Sequence, residues 1–277
     1  MNTSVKRTTV YDVVIMIIMI VMALLFIFPI YWIITGSLKD AASINAAIPQ
    51  WIPQNPTLDN YTRLFQNPAL RWLLNSVVIS VAAMALTCIT SAMAGYALAK
   101  KRFVGKTILF SLLICAMALP KQVVLIPLLK EMSFLRLHDS LWAVILPTIG
   151  WPFGIFLMKQ FSETIPTEML EAVRIDGAGE IQTFLKIVLP IVKPGIGALA
   201  IFTFISSWND YFLQLIMLNS KATLTISLGI AKLQSEMSND YGLIMAGAAL
   251  GAIPIIAVFL MFQKHFTQGI TMGAVKG

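Results

Sequence analysis

Charge is what this sequence has least of. Only 12% of its 277 residues are Asp, Glu, Lys or Arg, against about 25% in an ordinary soluble domain. At the same time 58% are hydrophobic and the mean hydropathy is +0.81. That balance excludes a soluble globular domain. Cysteine and histidine are also scarce, two of each. Cys88 and Cys115 fall in apolar runs without C-x-x-C spacing, so they point to neither a disulfide framework nor a metal site and read as small packing residues. His138 and His265 form no H-E-x-x-H pair, and no G-x-S-x-G occurs, which leaves zinc and serine hydrolases without support. The "VGKT" at 104–107 resembles a phosphate loop, but that loop needs a glycine where Lys100 stands. No cofactor is therefore expected on this chain.

Long uncharged runs are what the sequence has instead. A hydrocarbon core of about 30 Å takes about 20 apolar residues at 1.5 Å each, and Val13 to Ile34 meets this without one charge. Lys6 and Arg7 precede it as in a secretory leader, but the run is too long for one and no A-x-A site follows. Six spans are expected, at about 12–36, 72–99, 107–131, 140–161, 191–218 and 243–265, in a single transmembrane domain over 1–277 with no room for a large soluble domain. Backbone groups in lipid must bond internally, and runs this continuous do not alternate like barrel strands, so the expected fold is all-α and polytopic.

With an even number of spans both termini share a side. Twelve Lys and Arg fall there (6, 7, 100, 101, 102, 106, 159, 174, 186, 193, 264 and 276) against eight on the other (39, 63, 71, 121, 130, 136, 221 and 232). The positive-inside rule then makes the termini cytoplasmic, in a multi-pass cell-membrane protein. The +7 net charge reads as topology, not as a nucleic-acid footprint.

Breakers subdivide the runs: Pro29 in the first, Pro120 and Pro127 around Lys121 in the third, and Pro147, Gly150 and Pro152 in the fourth. Breaks at membrane depth are tolerated where protein or a water-filled path receives the freed backbone groups. The loop at 39–71 carries Trp51 and Tyr61, which with Trp72 suit an interfacial belt, and a short outer loop is expected from Lys221 to Tyr241.

Between spans four and five lies "EAVRIDGAGEIQTFLKIVLP", residues 171–190. Pro166 and Thr167 before Glu168 predict an N-cap and a helix start with an acidic first turn, and Asp176 with Gly177 predicts its stop. Ile181, Phe184, Leu185 and Val188 at i, i+3, i+4 and i+7 predict a second amphipathic helix that Pro190 ends. Neither helix is long enough to cross a bilayer. Either the element lies on lipid headgroups, which Lys159, Arg174 and Lys186 favour, or it is a docking surface for another protein.

A second constellation sits in the fifth run: Trp208, Asn209, Asp210, Tyr211 and Gln214. An intramembrane carboxylate costs about 2.5–3.5 kcal/mol to insert and is functional by default. Aromatic faces with Asn, Asp and Gln suit a sugar path, while a polar knot between helices is the structural alternative. A proton-coupled secondary transporter using Asp210 is the rival from another class.

The pattern Glu171-Ala172, Gly177, Ile187, Leu189, Pro190 resembles the EAA motif of the membrane subunits of binding-protein-dependent ABC importers. With "SLKD", "LPKQVVLIPLL", "SSWNDYF", "TLTISLG" and "QGITMGAVKG", the chain resembles the carbohydrate branch of that family, that of the maltose permease subunit, over most of its length. Val173 stands where the motif has Ala. The resemblance implies a type I importer (MetI-like) permease fold, with 163–190 a cytoplasmic coupling helix segment. Glu168, Glu171, Ala172, Asp176, Gly177, Ile187, Leu189 and Pro190 would then contact a separate ATPase. It further implies a second homologous permease, two ATP-binding subunits that use ATP and Mg, an extracytoplasmic solute-binding protein, and a sugar or oligosaccharide, or by a near alternative a glycerol-phosphate ester. Solute binding chiefly by the partner permease is also open. Gly269 to Gly277 would reach between the ATPases, and residues 221–239 would touch the binding protein.

Overall fold

In the computed structural model of the chain, residues 10–236 and 240–274 are described, those from 262 onward by backbone alone. Every regular element among them is helical. From the N-terminus, α1 (Val10–Ser37) is followed by the short α2 (Ala41–Ile44) and α3 (Asp59–Phe65), then by the long α4 (Ala69–Lys100). Next come α5 (Lys106–Met117), a 3-10 turn (Lys121–Val124), α6 (Leu125–Phe134), α7 (Trp142–Ile149) and α8 (Pro152–Glu163). The short α9 (Thr167–Ile175) precedes α10 (Glu180–Thr183), a π turn (Phe184–Val188) and α11 (Leu189–Ile191). α12 (Lys193–Trp208), α13 (Tyr211–Met217), α14 (Ile226–Glu236) and α15 (Tyr241–Ala274) complete the order.

Among the described residues, α1, α4 and the Tyr241–Met261 part of α15 are each long and apolar enough to cross a membrane, and six spans result if each of three bent pairs is one span. The bends measure 103° between Lys106–Met117 and Lys121–Phe134, 40° between α7 and α8, and 77° between Glu180–Ile191 and α12. The third run is thus broken at Pro120, where the backbone is extended and the next turn is 3-10. The run expected at 191–218 is not continuous: α12 stops at Trp208 and α13 starts afresh. The expected outer loop from Lys221 contains α14, and residues 237–239 of it lie outside the described ones.

The chain groups into two units. One comprises Met1–Asn67 with Ile230–Leu250. Within it the Asn60 amide donates to the carbonyls of Ser37 (3.0 Å) and Lys39 (2.7 Å), partnering acceptors that the end of α1 leaves open. Arg63 pairs with Asp240, whose carboxylate also accepts from the Leu243 N–H at the start of α15. Most of α1 is exposed apolar surface, with only Gly36 and Ser37 buried, as suits a helix facing lipid.

The other unit, Pro68–Gly229 with Gly251–Gly277, is built on α4 packed against α7, α8 and α12. Small residues set that packing. A Cβ on Gly95 would lie 2.6 Å from backbone atoms of Met158 and Lys159, and one on Gly154 would collide with the Ser91 hydroxyl. Close approach of this kind substitutes for the hydrophobic drive that lipid removes. Ala92, Tyr96, Met158, Leu170, Val188 and Leu199 share the resulting core. Trp72 is no belt residue. It is 3% exposed, and its indole N–H donates to the Lys221 carbonyl at 2.9 Å. Asn75 donates to the carbonyls of Ala222 and Leu224, so the first turns of α4 hold the 221–226 segment.

Candidate functional site

The 163–190 segment takes the helix–turn–helix form that its glycine and charges predict. Pro166 is extended at the cap of α9 and Thr167 is its first helical residue, so the expected side-chain cap does not form. Glu168 still occupies the first turn, the favourable end for a carboxylate. At the other end Gly177 adopts φ +80, its N–H donates to Arg174 O (3.0 Å) and the Ala178 N–H donates to Val173 O (3.2 Å). These two bonds form a Schellman motif, which needs a left-handed residue at the glycine position. Among the described residues no heavy atom lies within 4 Å of a Cβ placed on Gly177, so the requirement there is conformational, not one of crowding. Val173, the departure from the EAA triplet, is half-buried at the residue whose carbonyl closes that motif.

Of α9, only Leu170 is buried. Glu168, Met169, Glu171, Ala172, Arg174, Ile175, Asp176 and Gly177 are exposed, with Ile175 at 86%. Leu170, with half-buried Val173, thus fixes the helix, while its other apolar residues, Met169, Ala172 and Ile175, are left uncovered.

The second helix keeps two members of the predicted stripe, Phe184 and Val188, and turns the other two outward. Thr183 and Val188 are buried and Phe184 and Ile187 half-buried, whereas Ile181 and Leu185 are exposed at 77% and 54%. The physical reason is the π turn at 184–188, which winds in an extra residue and rotates the inward face. Pro190 does not end the helix either: Leu189 is half-buried, Pro190 exposed, and the chain turns by 77° after Ile191, before Pro194 opens α12.

Sequence reading missed the residues that fasten this segment. The Lys100 ammonium donates to the carbonyls of Glu163 (3.1 Å) and Ile165 (2.6 Å), while Lys101 pairs with Glu180, which Arg174 also reaches at 3.1 Å. The hydrogen bond from Lys101, outweighing slight burial, holds the Glu180 carboxyl below its ordinary value. The only sequence signal is the run of Lys100, Lys101 and Arg102 at the end of α4, which charge counting assigns to topology alone.

The five residues at 208–214 do not converge. Trp208 is 4% exposed and stacks on Phe204 at 5.7 Å. Gln214 is 1% exposed, donating to Ser207 O (2.9 Å) and accepting from Thr225 Oγ1 (2.6 Å), the polar knot of the structural alternative. Asn209 and Tyr211 are exposed. Asp210 caps α13 through Leu213 N and faces Lys121, whose Nζ lies 3.6 Å from Oδ2 and 4.7 Å from the Trp151 ring centre. Among the described residues no group of three His, Cys, Asp or Glu is placed to hold a metal ion.

Residues 88–272 match the family described as binding-protein-dependent transport system inner membrane component. The chain is similar to the arabinooligosaccharides transport system permease protein AraQ of Bacillus subtilis (strain 168), 36% identical over 276 residues and 97% of each chain. It is also similar to the trehalose transport system permease protein SugB of Mycobacterium tuberculosis (strain CDC 1551 / Oshkosh), 34% identical over 254 residues, 90% of this chain and 92% of the other. In fold it resembles a chain of a bacterial ABC transporter involved in the import of the acidic polysaccharide alginate. That match has a TM-score of 0.83 and 22% identity, and covers 96% of this chain and all of that one.

Proposed function

We propose, for a chain that belongs to the family of binding-protein-dependent transport system inner membrane components, that it carries a sugar or oligosaccharide inward as one of two permease subunits driven by separate ATPases. The chain is the membrane permease of an ABC importer and not an enzyme. Support for a carbohydrate solute comes from relatives named for arabinooligosaccharides, trehalose and maltodextrin.

The observation that carries the coupling reading is the exposure of α9. A helix anchored by Leu170 and half-buried Val173 presents Met169, Ala172 and Ile175 beside Glu168 and Glu171. Apolar area framed by carboxylates fits a cleft on a basic protein surface better than anionic headgroups. The proposed partner is an ATP-binding subunit, with Glu171 pairing to a cation on it. Leu170 and the Lys100 and Lys101 contacts tie α9 and its flanks to the core around α4 and α8. A pull on α9 therefore moves the spans. Asp176 and Gly177 shape the turn, and Ile187, Leu189 and Pro190 carry the strain into the bend before α12. ATP and Mg belong to the partner subunits, the solute arrives on an extracytoplasmic binding protein, and the termini are cytoplasmic in a prokaryotic cell membrane. The tail at 269–277 is proposed to dock between the ATPases, its last three residues lying outside the described ones.

The test is purification of the importer through a tag on this chain. An ATP-binding subunit should co-purify and be lost with Glu171→Lys, together with ATP-dependent uptake of arabinotriose or maltotriose. Retention of both in that variant sinks the reading.

A further inference from the structure

Between α4 and α5 the chain makes a short finger that is both apolar and basic. Lys101 is extended at the cap of α4, and a turn at Val104 and Gly105 leads into α5. Lys106 closes the finger from its far side, its ammonium donating to the carbonyls of Lys101 (3.1 Å) and Ala99 (3.3 Å) at the open helix end. At the tip Val104 is wholly exposed, and Phe103 beside it is exposed as well. The bare apolar surface continues along α5, which buries none of its residues. Phe110 stacks on Phe156 of α8 at 6.5 Å, while Ile108, Leu109 and Leu112 face outward. Four cations, Lys100, Lys101, Arg102 and Lys106, fall within residues 100–106. Three of them are engaged within the chain, Lys101 with the carboxylate of Glu180 and the other two with carbonyls. Arg102 is exposed and, among the described residues, makes no hydrogen bond or ion pair.

We infer that residues 102–104 are a docking site for anionic phospholipid in the leaflet on the α9 side. Phe103 and Val104 enter the boundary between headgroups and acyl chains, and the Arg102 guanidinium takes a headgroup phosphate. Continuity selects lipid over protein: α5 is the first limb of a bent candidate span, and the finger carries its uncovered face on into the headgroup layer. Charge selects the kind of lipid. A guanidinium meets a phosphate with two parallel N–H bonds, and cations clustered beside a span are drawn to anionic headgroups. The exposed helix α9 is the converse, because its bare apolar residues stand beside Glu168 and Glu171, which such headgroups repel. The two uncovered elements thus sort by the sign of the charge around them, one toward lipid and one toward protein. The lipid contact falls at the end of α4, where Lys100 and Lys101 grip the flanks of α9. It steadies that end at the membrane surface, whichever partner covers α9.

The experiment uses the complete importer in vesicles of phosphatidylglycerol and phosphatidylcholine. Exposed Cys115 is replaced by Ser, buried Cys88 is left in place, and bimane is attached at Val104→Cys or, as a lipid-facing reference, at Leu112→Cys. Quenching is compared for one nitroxide carried on the upper acyl chain of either lipid, in vesicles of identical composition. Val104 should be quenched about as strongly as Leu112, with the phosphatidylglycerol form about twofold or more the better quencher. Arg102→Gln should bring the two forms to equality, Arg102→Lys should keep most of the difference, and neither should alter quenching at Leu112. An unquenched Val104 beside a quenched Leu112 overturns the site, and a photocross-link from position 104 to an ATP-binding subunit then assigns the finger to protein. Equal quenching by the two forms in the parent, or a preference that survives Arg102→Gln, overturns the recognition of headgroup charge. Absence of an ATP-binding subunit from the purified complex strikes the coupling reading and leaves this contact standing.

Discussion

Lys101, at the C-terminal cap of α4, pairs with Glu180, the first residue of α10, and so joins a membrane-spanning helix to the turn that follows α9. Lys100 beside it holds the other flank through the Glu163 and Ile165 carbonyls. Both ends of the exposed helix are thereby held at one helix end.

This clamp transmits force without contributing much stability. Glu180 is 59% exposed on its side chain, and exposed pairs contribute about 0–1 kcal/mol. Lys101→Glu and Glu180→Lys are each expected to leave abundance unchanged and to lower ATP-dependent uptake by about fivefold, a loss of about 1 kcal/mol in coupling. The charge-swapped double variant should return to within about twofold of the parent. Uptake unaffected by either single reversal removes the clamp from the mechanism.

The pH dependence of that contact has a definite sign. The folded carboxyl of Glu180 lies below its ordinary value of 4.5, so the contact is fully present above that value and is lost as pH falls through the lowered one. Between pH 5 and 8, taken as about the physiological window, the parent and Glu180→Gln should keep a constant uptake ratio. A ratio that drifts across this window points to a different titrating group.

At Gly177 the left-handed backbone, not space, sets the order of substitutions. Asn tolerates this conformation, Ala is strained by about 1 kcal/mol, and a β-branched residue by more. ATP-dependent uptake should therefore fall in the order Gly177→Asn, Gly177→Ala, Gly177→Val at matched abundance. Equal loss in all three assigns the effect to contact with the partner instead.

Gly95 obeys the opposite logic. Its Cβ would strike the backbone of α8, so Gly95→Ala should destabilise by about 1–3 kcal/mol. Gly150→Ala, whose Cβ would meet only Pro147 O at 3.8 Å, should be nearly silent. Thermal melting of the detergent-solubilised complex checks the contrast, at about 2–4 °C per kcal/mol.

Asp139 has φ 58 and accepts hydrogen bonds from Asn219 N (2.8 Å), Ser220 N (3.1 Å) and Thr223 Oγ1 (2.6 Å). Burial alone would raise its carboxyl, but these bonds hold it well below the usual carboxylate range. Its contribution is complete above the ordinary value of 3.8 and fades only as pH falls below it. Asp139→Ala loses charged hydrogen bonds that each contribute about 1.5–3 kcal/mol and strains the backbone. Asp139→Asn keeps an acceptor and the left-handed turn. Melting at pH 7 should rank parent above Asn above Ala.

Hydropathy alone determined that the chain is helical and membrane-embedded, because water-free backbone leaves few structures open and the runs are too long for barrel strands. Pro120, Pro152 and the Asp176–Gly177 pair likewise announced where helices break, since each acts through its own backbone. The tertiary structure decided what those local rules do not reach. The π turn at 184–188 leaves Phe184 and Val188 of the predicted apolar stripe facing inward, while Thr183 and Ile187 take the places expected for Ile181 and Leu185. Long-range packing buried Trp208, Gln214 and Trp72, which composition alone places equally well in a solute path or an interfacial belt. Lys121, Trp151 and Asp210 are brought together from three separate stretches of chain. Sequence spacing cannot encode that meeting, because it depends on how separately broken helices cross.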